Sequence, residues 1–266
     1  MYDRFKRRIN YLRISVTDRC NLRCRYCMPE EGIKQIAHSE ILNFDEIFDF
    51  TLHAVSLGVD KVRLTGGEPL VRRGIVELVK MLSGIEGIKD LSMTTNGILL
   101  GKFAGDLAEA GLDRVNISLD TMDPERYKWI TRGGSLEDVL AGVDAAFEAG
   151  LSPVKINCVI KESHDEVDAQ AVRRFAEEKG AKIRYIKEMS LEGGKFSIVE
   201  GGDGGNCKIC NRVRITASGM VKPCLFNNME FNVRKLGNEE AIRQAIEHKP
   251  KSGSVNNTSN FYNLGG

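Results

Sequence analysis

Apolar and polar residues alternate in a strand-like pattern at six places in the first 190 residues of the chain. A period of two gives a strand one apolar and one polar face. The pattern predicts strands at residues 12–16, 61–65, 91–94, 115–119, 154–160 and 182–186. The segments between them predict helices at residues 43–57, 74–82, 99–110, 136–149 and 163–179. Six β/α units with short connections predict an α/β fold, in which helices cover a parallel sheet.

Short-range signals mark the ends of several predicted helices. The pairs Asn43 with Glu46 and Ser163 with Glu166 have the spacing of a capping box, in which two side chains satisfy N–H groups at a helix start. Glycines that stop a helix follow the predicted ends at positions 58, 111, 150 and 180.

The periodic pattern breaks after residue 189, and we divide the chain there into a β/α unit at 1–189 and an extension at 190–266. Glycine and polar residues at the start of the extension predict a loop. Residues 212–216 alternate again before a turn at Ser218 and Gly219, which predicts a β-hairpin. A short helix is predicted at 239–247, and the polar tail to residue 266 is predicted to be extended.

Composition excludes some functions for the chain as a whole. It has 266 residues, of which 38 are basic and 37 acidic, and the net charge of +1 does not suit a general nucleic-acid or membrane surface. No apolar run approaches the roughly 20 residues that span a bilayer, and the N-terminus lacks a signal-peptide core. We expect a cytoplasmic protein whose basic first ten residues are irregular and lie on the surface.

Six of the seven cysteines fall into two triplets, which in a reducing compartment favours metal ligands over disulfides. Cys20, Cys24 and Cys27 form a C-x3-C-x2-C run after the first predicted strand. Three thiolates are one fewer than the four that hold a [4Fe–4S] cluster, so one iron would stay open to a small molecule. The alternatives are a zinc knuckle and three unrelated cysteines, but zinc needs a fourth nearby ligand and the nearest histidine is His38.

The second triplet lies on the predicted hairpin at Cys207, Cys210 and Cys224, with the spacing C-x2-C-x13-C. It also lacks a fourth ligand, and a structural zinc closed by a distant residue stays an alternative to a cluster. The seventh cysteine, Cys158, stands alone in an apolar strand, where a small buried side chain is the simpler interpretation.

Polar motifs follow the predicted strands at their carboxyl ends, the edge where the chemistry of parallel barrels gathers. Gly66-Gly67-Glu68-Pro69 follows the second strand, residues 94–97 follow the third, and residues 118–120 end the fourth. Glycines let a backbone approach a ligand closely. An ordinary strand-to-helix turn would explain the glycine pair alone.

Several cations lie in predicted strands that are otherwise rich in apolar residues, namely Arg63, Lys155 and Arg184. A buried cation without a partner is costly, so side chains that point inward there require an anion. Arg212 and Arg214 are two residues apart on a strand and share a face, although a solvent-facing pair would have the same spacing. These cations favour a phosphate-binding interior.

The cysteine loop resembles that of the radical S-adenosylmethionine (SAM) enzymes, with Tyr26 before the last cysteine and Met28-Pro29 after it. Residues 15–21 (SVTDRCN), 210–214 (CNRVR) and 222–226 (KPCLF) resemble the GTP 3′,8-cyclases, which begin molybdenum cofactor synthesis. The resemblance covers nearly the whole chain. It implies the incomplete (β/α)6 TIM-type barrel of the radical SAM superfamily, with a small C-terminal extension of a β-hairpin and a helix that carries a second cluster.

The resemblance also implies cofactors and site residues. The cofactors are SAM and two [4Fe–4S] clusters, one on Cys20, Cys24 and Cys27 and one on Cys207, Cys210 and Cys224. The residues that would contact SAM are Tyr26, Gly67, Ser118 and Met189. The residues that would bind GTP are Arg13, Lys61, Arg63, Thr94, Lys155, Arg184, Arg212 and Arg214. Catalysis would involve the first triplet, Arg63, Gly265 and Gly266.

In the implied reaction, an electron from the first cluster cleaves SAM, and the resulting 5′-deoxyadenosyl radical removes the ribose 3′ hydrogen of GTP. Attack of the ribose radical on C8 of guanine gives 3′,8-cyclo-7,8-dihydro-GTP. The implied partners are an electron donor and the next enzyme of the pathway, and the chain could form a homodimer. Two alternatives stay open: a radical SAM paralog with an auxiliary cluster that modifies a peptide or another nucleotide, and a non-enzymatic iron–sulfur redox sensor.

One difference from the family lies between the sixth strand and the second triplet. A segment that is usually longer is a short glycine-rich linker here, and the tail is less basic. The deletion either trims a peripheral loop or marks a paralog with another substrate, and the retained phosphate-binding candidates favour the first interpretation.

We predict that the two glycines at the end of the tail act in catalysis. Glycine fits where a side chain does not, and the residues before Gly265 and Gly266 have too little apolar content to fold alone. Deleting both glycines should leave the clusters and the thermal unfolding midpoint unchanged but strongly reduce the cyclisation rate. Adding a bulky residue after Gly266 should do the same. Full activity of the deletion variant would indicate ordinary terminal disorder.

Overall fold

Six parallel strands form the first part of the fold in a computed structural model that describes residues 1–188, 194–195 and 197–256. The strands are β1 (Tyr11–Ser15), β2 (Lys61–Thr65), β3 (Asp90–Thr95), β4 (Arg114–Ser118), β5 (Lys155–Ile160) and β6 (Lys182–Lys187). Each pairs with the next along the chain, the arrangement that short β/α connections favour. The predicted α/β fold is confirmed, and the observed strand ends differ from the prediction by at most one residue.

Helices cover this sheet and supply most of its apolar packing. They are α1 (Phe44–Ser56), α2 (Ile75–Ser83), α3 (Leu100–Glu109), α4 (Pro124–Thr131), α5 (Leu136–Glu148) and α6 (Val167–Lys179). In α2 the buried residues Ile75, Leu78, Val79 and Leu82 recur every three or four positions, so one face of the helix packs on the strands. Each such side chain stabilises the fold by about 1.5–3 kcal/mol when fully buried. In the described part of the chain, no helix combines the length and the apolar character that crossing a membrane requires.

One of the two predicted capping boxes is confirmed and the other is wrong. The N–H of Glu46 donates to Oδ1 of Asn43, and the N–H of Asn43 donates to Oε2 of Glu46, both at 2.8 Å. Helix α6, however, begins after Glu166 rather than after Ser163. The Glu166 carboxylate instead accepts the N–H groups of residues 161–163. It therefore closes the loop before the helix.

Helix α4 is an element that the sequence interpretation missed. It begins with Pro124, and its N-cap Asp123 accepts the N–H of Arg126 at 2.7 Å. Only Tyr127 and Thr131 of this helix are buried, so it lacks the apolar stripe that identifies a helix in sequence. Its capping signals were present and would have identified it.

The C-terminal extension continues the same sheet. Strand β8 (Arg212–Ile215) lies parallel to β1, and β9 (Met220–Lys222) and β10 (Phe231–Asn232) follow in antiparallel pairing. Within the described residues the sheet has nine strands, in the order β10-β9-β8-β1-β2-β3-β4-β5-β6. The remaining elements are α7 (Val233–Leu236), α8 (Asn238–Glu247) and the paired strands β7 (Gly194–Lys195) and β11 (Val255–Asn256). The predicted hairpin is confirmed, and the division of the chain at residue 189 stays a prediction.

The first ten residues are irregular, as predicted, but they are not confined to the surface. Ile9 is fully buried, and Arg7 forms a buried ion pair with Asp3 at 2.6 Å. The Arg7 guanidinium also donates to the carbonyl oxygens of Cys207 and Lys251. The surface prediction was wrong because Cys207 and Lys251, which hold Arg7 in place, are 200 and 244 residues away from it in the sequence.

Gly142 of α5 gives a test of how closely the helices pack. A Cβ at Gly142 would lie 2.4 Å from the carbonyl oxygen of Gly97, a backbone atom in the loop before α3. We predict that Gly142→Ala lowers the free energy of unfolding by about 1–3 kcal/mol through overpacking. Gly105→Ala is the matched control, because a Cβ there meets nothing within 4 Å and should stabilise α3 by about 0.5–1 kcal/mol. Chemical denaturation measures both, and equal changes would contradict the packing argument.

Candidate active site

A cavity of about 860 Å³ lies inside the partial barrel and is lined by both cysteine triplets. Every predicted site residue in the described part of the chain lines it, including both triplets and all eight predicted phosphate-binding residues. Met189, Gly265 and Gly266 lie outside the described residues. One correction concerns Thr94, which lies within β3 and not after it.

The first cysteine triplet lies in a loop that is fixed by backbone hydrogen bonds. The N–H groups of Cys27 and Met28 both donate to the carbonyl oxygen of Cys24 at 2.9 Å. On the other side, the N–H of Arg25 donates to the carbonyl oxygen of Ile130 at 2.9 Å. The loop is therefore attached to the end of α4, the helix that the sequence interpretation missed.

The three thiols of this loop are half-buried and close enough to affect one another. Burial raises the pKa of Cys20 to about 11 and that of Cys27 to about 12, where Cys20 adds to the effect. The pKa of Cys24 is raised further by burial, then by Asp120 and by the other two thiols. A group that binds to these cysteines must therefore displace protons that are tightly held.

Gly66 and Gly67 allow the turn after β2 to pack on this loop. A Cβ at Gly67 would lie 2.4 Å from the carbonyl oxygen of Arg19, and one at Gly66 would lie 2.7 Å from that of Thr17. The N–H of Gly67 donates to the Thr17 carbonyl at 2.8 Å. The glycines are thus required by backbone packing and not only by a ligand. A ligand at Gly67 would meet its carbonyl oxygen, since the N–H is already used.

Glu68 ties three strand ends together, a role that the sequence interpretation missed. It is 1% exposed, and its carboxylate accepts from the Thr95 hydroxyl at 2.8 Å and the Asn96 N–H at 2.7 Å. The Asn96 amide in turn donates to Oδ1 of Asn21 in the cysteine loop at 2.8 Å. Burial raises the pKa of Glu68 to about 7, although its hydrogen bonds favour the charged form.

Tyr26 is held by a second buried carboxylate. Its hydroxyl donates to Oδ2 of Asp120 at 2.7 Å, and Oδ1 of Asp120 accepts the N–H of Val159 at 2.8 Å. Burial raises the pKa of Asp120 to about 6, although these hydrogen bonds oppose the rise. The contact with Asp120 fixes Tyr26 in the cysteine loop, where it lines the cavity together with Ser118 at the end of β4.

The second triplet lies at the opposite side of the cavity in a more positive environment. Burial alone would raise the pKa of Cys210, but the ammonium of Lys249 and the guanidiniums of Arg212 and Arg214 lower it below its ordinary value. For Cys224 burial prevails and the pKa is raised. Among the described residues, no three of His, Cys, Asp and Glu are grouped to hold one metal ion. A cubane does not need such a group, because its thiolates bind different irons.

Strand register brings the predicted cations into rows on the inner face of the sheet. Arg13 of β1 lies beside Arg63 of β2 on one side and Arg214 of β8 on the other. Side chains paired in register on adjacent strands point to the same face. All three arginines are less than 10% exposed, so this row lies inside the barrel and not on a solvated face.

Neighbouring rows add further polar side chains to the cavity. They comprise Tyr11 with Lys61 and Arg212, Thr94 with Asn116 and Lys155, and Asn157 with Arg184. With its amide oxygen turned inward, Asn116 accepts from the guanidiniums of Arg63 and Arg184 at 3.0 and 3.3 Å. The sequence analysis did not identify Asn116 and Arg114 as cavity-lining residues. They lie two and four positions before Ser118 on β4, and this spacing puts all three side chains on one face of the strand.

Positive charge exceeds negative charge in the described lining. Burial, then Arg114, Arg184 and Arg63, lower the pKa of Lys155 to about 8. Burial and then Arg212 lower the pKa of Arg214 to about 10. Asp90 balances part of this charge through its ion pair with Arg114 at 2.6 Å. Mutual repulsion among the remaining cations favours the binding of a polyanion.

Several of the described residues that line the cavity have a buried polar atom without a hydrogen bond. Within the described residues, the Tyr11 hydroxyl, the Thr94 hydroxyl and Nε of Arg212 are buried without a hydrogen bond, and all three residues line the cavity. Buried polar groups in folded proteins are nearly always hydrogen-bonded. Their positions therefore suit a polar ligand.

Comparisons with known proteins agree with this geometry. A family profile described as the Radical SAM superfamily matches residues 14–176, and one described as Molybdenum Cofactor Synthesis C matches residues 151–255. A protein named GTP 3′,8-cyclase from Alkaliphilus oremlandii is 40% identical over 301 residues, which cover 94% of this chain and 93% of that protein. The protein of the same name from Geobacter sulfurreducens is 38% identical, with the same coverage.

Solved structures share the fold at lower identity. SuiB of Streptococcus suis bound to its precursor peptide SuiA has a TM-score of 0.68 at 16% identity, over 92% of this chain and 66% of SuiB, just under two thirds of its length. The protein anSMEcpe with bound AdoMet has a TM-score of 0.64 at 15% identity, over 91% of this chain and 81% of that protein. At this identity the likeness shows the fold alone, and it confirms the predicted partial barrel.

The low pKa of Lys155 predicts a pH dependence of anion binding. In the absence of an anion this side chain loses its proton near pH 8, and a lysine that is neutral no longer attracts phosphate. Affinity for inorganic tripolyphosphate should therefore fall between pH 7 and pH 9 by about tenfold more in the wild type than in Lys155→Met. Protonation of tripolyphosphate itself affects both proteins equally, so it cancels in this comparison. Calorimetry measures the affinity. The control is Lys161→Met, an exposed lysine outside the cavity, and parallel pH profiles of wild type and Lys155→Met would contradict the assignment.

Proposed function

This chain belongs to the GTP 3′,8-cyclases of the radical SAM superfamily, and on that premise we propose that its cavity binds GTP and SAM and converts GTP to 3′,8-cyclo-7,8-dihydro-GTP. The product would enter molybdenum cofactor biosynthesis, in keeping with the second family profile. The observation that carries the proposal is one cavity that joins two cysteine triplets through rows of buried cations.

The residues present at the first triplet suit a three-cysteine [4Fe–4S] cluster with bound SAM. Cys20, Cys24 and Cys27 face one cavity and influence one another, and the turn with Gly67 lies against their loop. The carbonyl of Gly67 would accept from the amino group of SAM, and Ser118, Tyr26 and Met189 would complete its contacts. When bound, the cluster and SAM supply the 5′-deoxyadenosyl radical that removes the ribose 3′ hydrogen of GTP.

We assign a second [4Fe–4S] cluster to Cys207, Cys210 and Cys224. Nearby positive charge, which lowers the pKa of Cys210, favours thiolate ligands over thiols. The three cysteines line the same cavity as the first triplet, so the purine of GTP could reach an iron that lacks a cysteine ligand. A structural zinc remains the competing assignment.

The triphosphate of GTP would lie among the cations of the inner face, because it brings about four negative charges to a lining that has an excess of positive charge. The proposed set is Arg13, Lys61, Arg63, Thr94, Lys155, Arg184, Arg212 and Arg214, all of which line the cavity. Fixed by strand register, these groups would orient the ribose toward SAM and keep water away from it. Arg63, in the middle row, is the member we place in catalysis.

The shortened linker is compatible with this function. The alignment with the Alkaliphilus protein spans 301 residues and this chain has 266, so at least 35 positions have no counterpart here. Glu200 in the linker exchanges two backbone hydrogen bonds with Tyr185 of β6, at 3.0 and 3.1 Å. The described part of the linker thus pairs with the edge strand β6 at Tyr185, and the cation rows line the cavity, which supports a trimmed loop and an unchanged substrate.

The wider context of the reaction is part of the proposal. The chain would receive electrons from a donor protein, pass its product to the next enzyme of the pathway, and act in the cytoplasm, where thiols stay reduced. A homodimer and the division into units at 1–189 and 190–266 are further proposals. The roles of Gly265 and Gly266 remain predictions, since both lie outside the described residues.

Anaerobic turnover with GTP and SAM, followed by mass analysis of the products, tests the function. We predict about eight irons in the reconstituted wild type and about four after loss of one triplet. Cys24→Ala should abolish cleavage of SAM, and Cys210→Ala should leave SAM cleavage without a cyclised product. Cys158→Ala is the control, because Cys158 is buried outside the cavity and should change neither iron content nor product. Tightly bound zinc at the second triplet, or cyclisation of a different substrate, would overturn the proposal.

A further inference from the structure

A C-terminal segment wraps the second cysteine triplet, and we call residues 249–256 the strap. The N–H of Gly253 donates to Sγ of Cys207 at 3.3 Å. The N–H of Ser254 donates to the carbonyl oxygen of Phe226, and the amide of Asn256 donates to that of Leu225, both at 2.9 Å. The strap therefore contacts both sides of the site, at Cys207 and just after Cys224.

Arg7 from the N-terminus fixes the first part of the strap. Its guanidinium donates to the carbonyl oxygens of Pro250 at 2.7 Å and Lys251 at 3.1 Å, and also to that of Cys207 at 2.7 Å. Asp3 balances the charge of Arg7 through a buried ion pair. The positive charge of Arg7 is thus neutralised locally, and its contribution is to hold the strap against Cys207.

Lys249 differs from Arg7 because, within the described residues, its ammonium forms no ion pair with a carboxylate. It is 2% exposed, and its Nζ donates to the carbonyl oxygens of Arg212 and Pro223, both at 2.6 Å. Burial lowers the pKa of Lys249, whereas the neighbouring thiols of Cys210 and Cys224 raise it. A buried ammonium is costly unless an anion lies close to it. The groups placed to supply that anion are the two cysteines.

We propose that Lys249 is a positioning residue for the second cluster, which compensates the negative charge of its thiolates and joins the two arms that carry Cys210 and Cys224. This inference rests on the proposed function, which assigns a cluster to these cysteines. Net charge and hydrogen bonds to sulfur set the reduction potential of iron–sulfur clusters. With its charge fixed beside the thiolates, Lys249 makes the cluster easier to reduce, and the Gly253 N–H acts in the same direction.

The test isolates the second cluster in full-length protein. In a background with Cys20, Cys24 and Cys27 all replaced by alanine, the potential of the remaining cluster is measured by a redox titration followed by electron paramagnetic resonance. We expect Lys249→Met to shift the potential to a more negative value, because a positive charge is lost at nearly constant volume. Lys251→Met is the matched control, since Lys251 lies two residues further along the strap and is exposed, and it should leave the potential unchanged.

Loading supplies an independent measurement. The rise in thermal midpoint on cluster reconstitution should be smaller in Lys249→Met than in the wild type. The hydrogen bonds from Lys249 to the two carbonyl oxygens do not affect this rise, because they exist both with and without the cluster. If Lys249→Met does not bind a cluster, the conservative variant Lys249→Arg distinguishes the explanations. Recovery of about four irons by Lys249→Arg in this background supports a role for the positive charge, and failure to recover them counts against that role.

The outcomes separate this inference from the function on which it depends. If the wild type holds only about four irons, or holds zinc at the second triplet, the proposed function and the role of Lys249 are both overturned. If the wild type holds about eight and Lys249→Met has an unchanged potential and an unchanged gain in thermal midpoint, only the role of Lys249 is overturned.

Discussion

The interior of the barrel carries more positive charge than the carboxylates of its described lining can balance, and the rest of the structure depends on this constraint. Arg13, Arg63 and Arg214 are nearly fully buried, and burial followed by repulsion from neighbouring guanidiniums lowers the pKa of each. Such a row persists only if a rigid frame holds it. The in-register strands and the apolar helices outside them supply that frame, and the proposed polyanionic substrate would supply the missing charge. Under that proposal, binding energy and substrate class would have the same physical origin.

Two buried carboxylates organise the opposite end of the cavity without joining the cation rows. Glu68 connects the ends of β2 and β3 to the cysteine loop, and Asp120 connects Tyr26 to β5. Hydrogen bonds of this kind order the loop before any cofactor binds, so a bound group would not have to supply the energy of ordering it. Gly67 contributes by removing a Cβ that would collide with the backbone of the loop.

The C-terminal extension completes the site because β8 lies beside β1, which puts Arg212 and Arg214 next to Tyr11 and Arg13. The sheet thus brings residues from both ends of the chain into the same rows. The strap and Arg7 then close the second triplet from outside. The electrostatic surroundings of the two cysteine sites therefore differ. At the first site burial raises the pKa of all three thiols, whereas at the second site nearby cations lower the pKa of Cys210 and burial raises that of Cys224.

The sequence by itself determined the features that depend on residues close together in the chain. The six strands, the capping box at Asn43 and the spacing of the cysteine triplets belong to this class, and the motifs around them identified the family. Tertiary structure alone decided the contact of Arg7 with Cys207, the packing reason for Gly67 and the place of Lys249 beside carbonyl groups 37 and 26 residues away. Burial, hydrogen-bond partners and charge compensation arise only when distant segments pack together, and no local pattern in the sequence records which segments will meet.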